Sequence, residues 1–224
     1  MNKLFYILKN NYYFIIYSLI ELILAILIII KEEIFNDLNY VYYSFILLNF
    51  IFSFILLLNY KNKNNLFFCI AYLFAIFADF NLIILGDNLS LGVFFFLCCQ
   101  IFYMLMIGIN KTQLLIRLII IVILELLAII VTKSNYSFLV FITIVYFSTF
   151  LANIIFAFIN KVNIVFIIGM ILFILCDVCV GVSNFEMFEG EFVNILGRLI
   201  YYFYLPGLYL MSAGMHIKSK SEVI

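Results

Sequence analysis

A chain of 224 residues with 68% hydrophobic and only 11% charged side chains lies far outside the soluble range, where about half the residues are apolar and about a quarter charged. Its mean hydropathy of +1.28 is more than a water-soluble core of this length hides, so the solvent for most of the surface is lipid. Twelve basic and twelve acidic residues cancel to a net charge of zero, which leaves no electrostatic footprint for nucleic acid.

Eight apolar runs follow one another at 13–30, 41–58, 66–85, 91–109, 114–131, 137–159, 162–182 and 192–214. Each is long enough to cross a hydrocarbon core about 30 Å thick as a helix. Barrel strands would alternate in hydrophobicity at every second residue, whereas these runs are apolar on every face. The expected fold is therefore all-α, a polytopic membrane bundle of about eight transmembrane helices forming a single integral membrane domain over 1–224. The first run has no small-residue cleavage site after it, so no cleavable signal peptide is expected. Abundant Asn, Lys, Ile and Phe point to an AT-rich coding source, and the expected location is the cell membrane of a bacterium.

The connections are short and polar, as in "KEEIFNDLN", "NYKNKNN" and "GDNLS". Lys3, Lys9, Lys61, Lys63, Lys111, Lys161, Lys218 and Lys220 fall on one side of the membrane. Lys31 and Lys133 fall on the other, with Glu32, Glu33, Glu186, Glu189 and Glu191. Eight lysines against two place both termini in the cytoplasm by the positive-inside rule.

The third run, "LFAIFADFNLIIL", carries Asp79, and the seventh, "GMILFILCDVCVGV", carries Asp177. A carboxylate in mid-span costs about 2.5–3.5 kcal/mol to insert, so it faces the protein interior and serves function. Both helices run outward, and at 1.5 Å per residue Asp79 stands roughly 20 Å and Asp177 roughly 22 Å above the inner face. Equal depth is the necessary condition for their meeting. Two carboxylates brought together cannot both ionise cheaply, so the pair supplies one acid and one base to a water-poor site.

Other polar residues inside the runs carry weaker signals. Arg198 in the eighth run pairs with an aspartate or with a lipid phosphate. Glu21, Glu125 and Arg117 read as packing or counter-charge residues, and Asn81, Asn153 and Gln100 as bonds between helices. Tyr201, Tyr202 and Tyr204 belong to an aromatic-rich helix, and Pro206 is expected to kink it and free a carbonyl. Cys69, Cys98, Cys99, Cys176 and Cys179 all lie inside apolar runs. The C-x-x-C at 176–179 lacks the exposed helix start of a redox motif and reads as packing. The only histidine, His216, lies beyond the last span, so no metal site is expected.

Helices 3–4 and 7–8 look like weak internal repeats, each an intramembrane Asp, a short loop and a helix with tyrosyl positions. Tyr103 follows Asp79 by 24 residues and Tyr202 follows Asp177 by 25.

These residues resemble the signatures of the YhhN family of membrane proteins. In "FADFNLIILGDNLSLGVFFFLCCQIFYM", Asp79, Leu82 and Gly92 match the first signature, and Gln100 and Tyr103 stand where that family has His and Tyr. "GMILFILCD" matches the second through Gly169, Phe173 and Asp177, with Cys176 for Ser. "YFYLPGLYLMSA" resembles the third through Tyr202, Leu208, Ser212 and Ala213, with Pro206 for Gln. The first motif has Ala78 in place of Gly, and no clear Lys-Pro motif stands in the second helix. The likeness spans 66–214.

The resemblance implies a lysoplasmalogenase, an integral-membrane hydrolase that cleaves the vinyl-ether bond of lysoplasmalogens. It implies Asp79 and Asp177 as catalytic residues and Gln100, Tyr103, Arg198 and Tyr202 as substrate-binding positions. No metal or organic cofactor is implied, and the partners are a lysophospholipid substrate and the bilayer. The rivals are another lipid hydrolase using the same acids, a small transporter, since paired intramembrane carboxylates also mark transport pathways, and a non-catalytic relative.

Overall fold

The computed structural model describes residues 2–32, 39–86, 88–132, 136–183 and 191–221. Among these the chain forms eight α-helices and no strand: α1 (Asn2–Glu32), α2 (Asn39–Tyr60), α3 (Lys63–Asp79), α4 (Leu89–Ile107), α5 (Lys111–Thr132), α6 (Phe138–Ile159), α7 (Ile164–Ser183) and α8 (Glu191–Ser221). A π-helical segment, Phe80–Leu85, continues α3. Each expected run falls on one of these helices. Glu33, Lys133, Glu186 and Glu189, used in the lysine and glutamate comparison, lie outside the described residues.

The polar connections start the helices by capping. Asn62, Asn88 and Ser137 accept from the amides of Asn65, Leu91 and Val140 at 2.7, 3.1 and 3.3 Å. Each bond satisfies one of the donors that a helix start leaves open. At both ends of the chain, α1 and α8 run well past the expected spans, to 31 residues each. Extending an existing helix adds a hydrogen bond per residue fixed, so a polar sequence continues it beyond the hydrocarbon.

Seven helices, α1 to α7, are long and apolar enough to cross a membrane. The exception is α8, which carries Arg198, Pro206, four tyrosines, Ser212 and His216. It still occupies the depth of a spanning helix, because it lies antiparallel along α7. Gly214 meets Phe166, Gly207 and Met211 meet Gly169, and the Tyr204 ring lies 5.5 Å from Phe173. Protein rather than lipid surrounds much of it, with Leu208, Met211 and Ser212 fully buried, so polar side chains are tolerated there. The helix remains continuous through Pro206.

Packing of α7 against α8 rests on small residues. Between apolar helices in lipid the driving force is close van der Waals approach, which small residues permit. A Cβ added at Gly169 would stand 2.6 Å from the Met211 amide nitrogen and 2.7 Å from the Gly207 carbonyl oxygen. Backbone atoms cannot swing aside as a side-chain tip can. Gly169→Ala is therefore expected to destabilise the protein by about 1–3 kcal/mol, the usual range for overpacking. Thermal unfolding in detergent measures it, and an unchanged midpoint would mean that the helices do not touch at residue 169.

The helices that carry the aspartates are the most enclosed. Half of the α3 span and 44% of the α7 span are buried, against 11% for α5 and 17% for α1. Phe14 in the first half of α1 stacks on His216 in the last turns of α8, with centroids 4.6 Å apart. The two ends of the chain thus lie at the same end of the bundle.

Candidate active site

Asp79 closes α3 at the point where the helix widens. The Asn81 side-chain amide donates to the Phe77 carbonyl at 2.7 Å, and the Gly86 amide donates to the Asn81 carbonyl at 3.0 Å. That second bond spans five residues, the mark of a π turn, and Gly86 adopts φ +70° to end it. Such turns insert an extra residue into the helical register and recur at functional sites. Just beyond, Leu82 fills the space over Gly92 that a Cβ would occupy, which fixes the π segment against α4.

Both aspartates are held by tyrosines from distant helices. Tyr204 of α8 donates to Asp79 Oδ2, and Tyr146 of α6 donates to Asp177 Oδ2. Each bond leaves the other carboxyl oxygen, Oδ1, for further work. Asp79 is 3% exposed, and Asp177 is half-buried. The Asp79 carboxyl group contributes to the electrostatic field at Asp177, and both carboxyl groups contribute at the Cys99 and Cys176 thiols.

Aromatic rings join the two Asp–Tyr pairs. Phe173 lies 5.5 Å from Tyr204, 5.5 Å from Phe150 and 5.7 Å from Phe96, while Tyr146 lies 6.0 Å from both Phe96 and Phe150. These edge-on and tilted contacts lock ring positions. They hold both tyrosine rings, and so both hydroxyls, in place.

Of the other expected site residues, Gln100, Arg198 and Tyr202 are placed elsewhere, and Tyr103 stands beside Cys99. Gln100 is fully buried, and its backbone and side-chain oxygens accept from Asn153 Nδ2 at 2.8 and 3.0 Å. Asn153 Oδ1 in turn accepts from Arg117 at 2.7 Å. Asn153 lies seven residues along α6 from Tyr146, roughly 10 Å at the helical rise, so this network is separate from the acid pair. Tyr103 is fully buried with its hydroxyl beside the Cys99 thiol, one helical turn before it. Arg198 and Tyr202 are exposed and line a groove between α1 and α8 that contains neither aspartate. Arg198 accordingly does not serve as counter-ion to the acid pair. Glu125 accepts from the Tyr136 hydroxyl at 2.5 Å.

Tyr204 and Tyr146 bond the aspartates, whereas the repeat spacing singles out Tyr103 and Tyr202. Tyr204 reaches back 125 residues to Asp79 rather than serving the aspartate of its own repeat. Tyr146 carried one readable signal: with Phe150 and Asn153 it marks a buried, partly polar face on α6, in a run otherwise rich in aliphatic residues.

A sequence model of the YhhN family matches residues 40–215. This chain belongs to the YhhN family. The match begins in α2 and ends in α8, so it takes in Asp79, Asp177, Tyr146 and Tyr204 and extends beyond the 66–214 of the recognisable motifs. It leaves out α1 of this YhhN protein and with it Glu21. No curated protein and no solved structure matches the chain.

Proposed function

We propose that this YhhN protein is a membrane lipid hydrolase that cleaves the vinyl-ether bond of lysoplasmalogens. The products are a fatty aldehyde and glycerophosphoethanolamine or glycerophosphocholine. The observation that supports this reading is that two intramembrane aspartates are each steadied through Oδ2 by a tyrosine from another helix.

The chemistry suits that arrangement. One carboxylic acid delivers its proton to the β-carbon of the enol ether, whose π electrons form the new C–H bond. The α-carbon becomes an oxocarbenium ion, stabilised by the second, ionised carboxylate. Water adds to that carbon and gives a proton to the ionised carboxylate, forming a hemiacetal. The hemiacetal then breaks its bond to the glycerol oxygen, which takes the proton now held by the second carboxyl group, while the hemiacetal hydroxyl returns its proton to the first carboxylate and aldehyde is released. Aldehyde release from purified lysoplasmalogen by the detergent-solubilised protein tests the reading. A homogeneous preparation that releases none overturns it.

The orientation follows the lysine bias, with both termini cytoplasmic. In a variant free of the five native cysteines, Glu191→Cys is expected to react with an impermeant maleimide in intact cells and Lys63→Cys only in broken ones. The reverse pattern inverts the protein and moves the acid pair toward the cytoplasmic leaflet.

A further inference from the structure

Asp79 has an open oxygen, and near it a tyrosine hydroxyl is left without a bond. Tyr43 is the first residue of the membrane-spanning stretch of α2, Tyr43–Tyr60, and α2 packs against the π segment that follows Asp79. The Tyr43 ring is half-buried and lies 5.9 Å from that of Phe80, the residue after Asp79, at a tilt of 54°. The Asp79 carboxyl group contributes to the electrostatic field at the Tyr43 hydroxyl. No hydrogen bond joins the two, and the hydroxyl has no other partner among the described residues. On the carboxyl side, Tyr204 takes Asp79 Oδ2. Asp79 Oδ1 has no partner among the described residues and, unlike Glu21 Oε2, is not closed off.

A neighbouring donor and acceptor that do not bond directly are bridged by a molecule that can use both, and water does so. It accepts from Tyr43 and donates to Asp79 Oδ1. Tyr43 stands at the end of its span, where water is closest. Asp177 has a different setting. It is half-buried, and Leu175 and Val178 beside it on α7 are exposed apolar residues, so its approach from lipid suits a vinyl carbon.

We infer that Tyr43 positions the attacking water against Asp79 Oδ1, which makes Asp79 the base and Asp177 the acid. This rests on the hydrolase reading, to which it adds a third residue and an order of events. Asp177 protonates the β-carbon. Water then forms a bond from its oxygen to the cationic carbon and passes one proton to Asp79 Oδ1. Tyr43 keeps its own proton and only donates a hydrogen bond. Two hydroxyls serve Asp79, Tyr204 directly and Tyr43 through the water, as suits the carboxylate that carries the charge.

Deuterium separates these steps. A cation that water fails to capture returns a β-proton to Asp177 and becomes vinyl ether again, so in heavy water the recovered substrate gains deuterium at that carbon. The probe is lysoplasmalogen with a sixteen-carbon alkenyl chain and an ethanolamine head, read by mass spectrometry. The wild type is expected to release aldehyde and leave the remaining substrate unlabelled. Tyr43→Phe keeps the ring on Phe80 and loses the hydroxyl. Its aldehyde release is expected to fall about tenfold, as loss of one hydrogen bond warrants, and its recovered substrate to carry deuterium. Asp79→Asn is expected to label substrate without releasing aldehyde, and Asp177→Asn to do neither. Wild-type turnover in Tyr43→Phe, or slowed turnover without label, shows that Tyr43 does not hold the water. Label in Asp177→Asn, or none in Asp79→Asn, overturns the assignment of roles even if Tyr43→Phe fails to fold. A wild type that releases no aldehyde removes the hydrolase reading and this inference with it. A wild type that does, beside variants that break the expected pattern, removes this inference alone.

Discussion

Asp177→Asn is expected to stop aldehyde release, with turnover falling at least 10²- to 10⁴-fold, the usual contribution of a positioned acid or base. The amide matches the carboxyl group in size and its oxygen still accepts from Tyr146, so the side chain stays where Asp177 is. What it loses is the proton: an amide neither delivers one to the enol ether nor takes one from water. Asp79→Asn is expected to act alike, because the mechanism needs both an acid and a base. The tyrosines should behave differently. Tyr146→Phe and Tyr204→Phe keep the ring contacts with Phe96, Phe150 and Phe173 and remove one hydrogen bond each. A bond to a charged group contributes about 1.5–3 kcal/mol, so turnover is expected to fall roughly ten- to a hundredfold. Aldehyde release is measured beside a monodispersity profile in detergent. Wild-type turnover in folded Asp177→Asn removes that residue from the mechanism.

The aspartates were legible because a carboxylate in an apolar run costs too much to be accidental, and the helices because their ends coincide with polar connections and capping side chains. Their partners were not. A tyrosine reads the same in sequence whether its ring faces lipid or its hydroxyl meets a carboxylate, and this chain has sixteen. Choosing Tyr204 for Asp79 requires knowing that α8 lies against α3, a pairing between helices far apart in the chain. The π turn after Asp79 hinges on Asn81 taking the Phe77 carbonyl, a competition between side chain and helix that hydropathy does not register. Gln100 stood where the family has a histidine, which drew it toward the substrate. Its oxygens join it to a network whose other members, Asn153 and Arg117, lie on α6 and α5.

Removing the middle of that network should cost more stability than any other substitution considered. Asn153 is fully buried and ties three helices together. Its amide donates to two oxygens of Gln100 on α4, and its own oxygen accepts from Arg117 on α5. Arg117 is 3% exposed, lies 4.7 Å over the Phe156 ring, and has no partner among the described residues for Nε or Nη2. Asn153→Leu fills the space but leaves the guanidinium without an oxygen. Stripping a buried charge of its partner costs about 3–5 kcal/mol, whereas replacing both partners by apolar groups of similar size is often neutral. Asn153→Leu is therefore expected to lower stability by about 3 kcal/mol or more in detergent unfolding. Asn153→Leu with Arg117→Met is expected to recover most of the loss, although it removes more polar contacts. Hydrogen exchange should localise the damage to α5, since α6 is the helix it packs on, with Gln113 to Asn160, at 2.9 Å, as a further side-chain hydrogen bond holding it there. A double variant no more stable than Asn153→Leu would show that lost hydrogen bonds to Gln100, not the stranded charge, carry the cost.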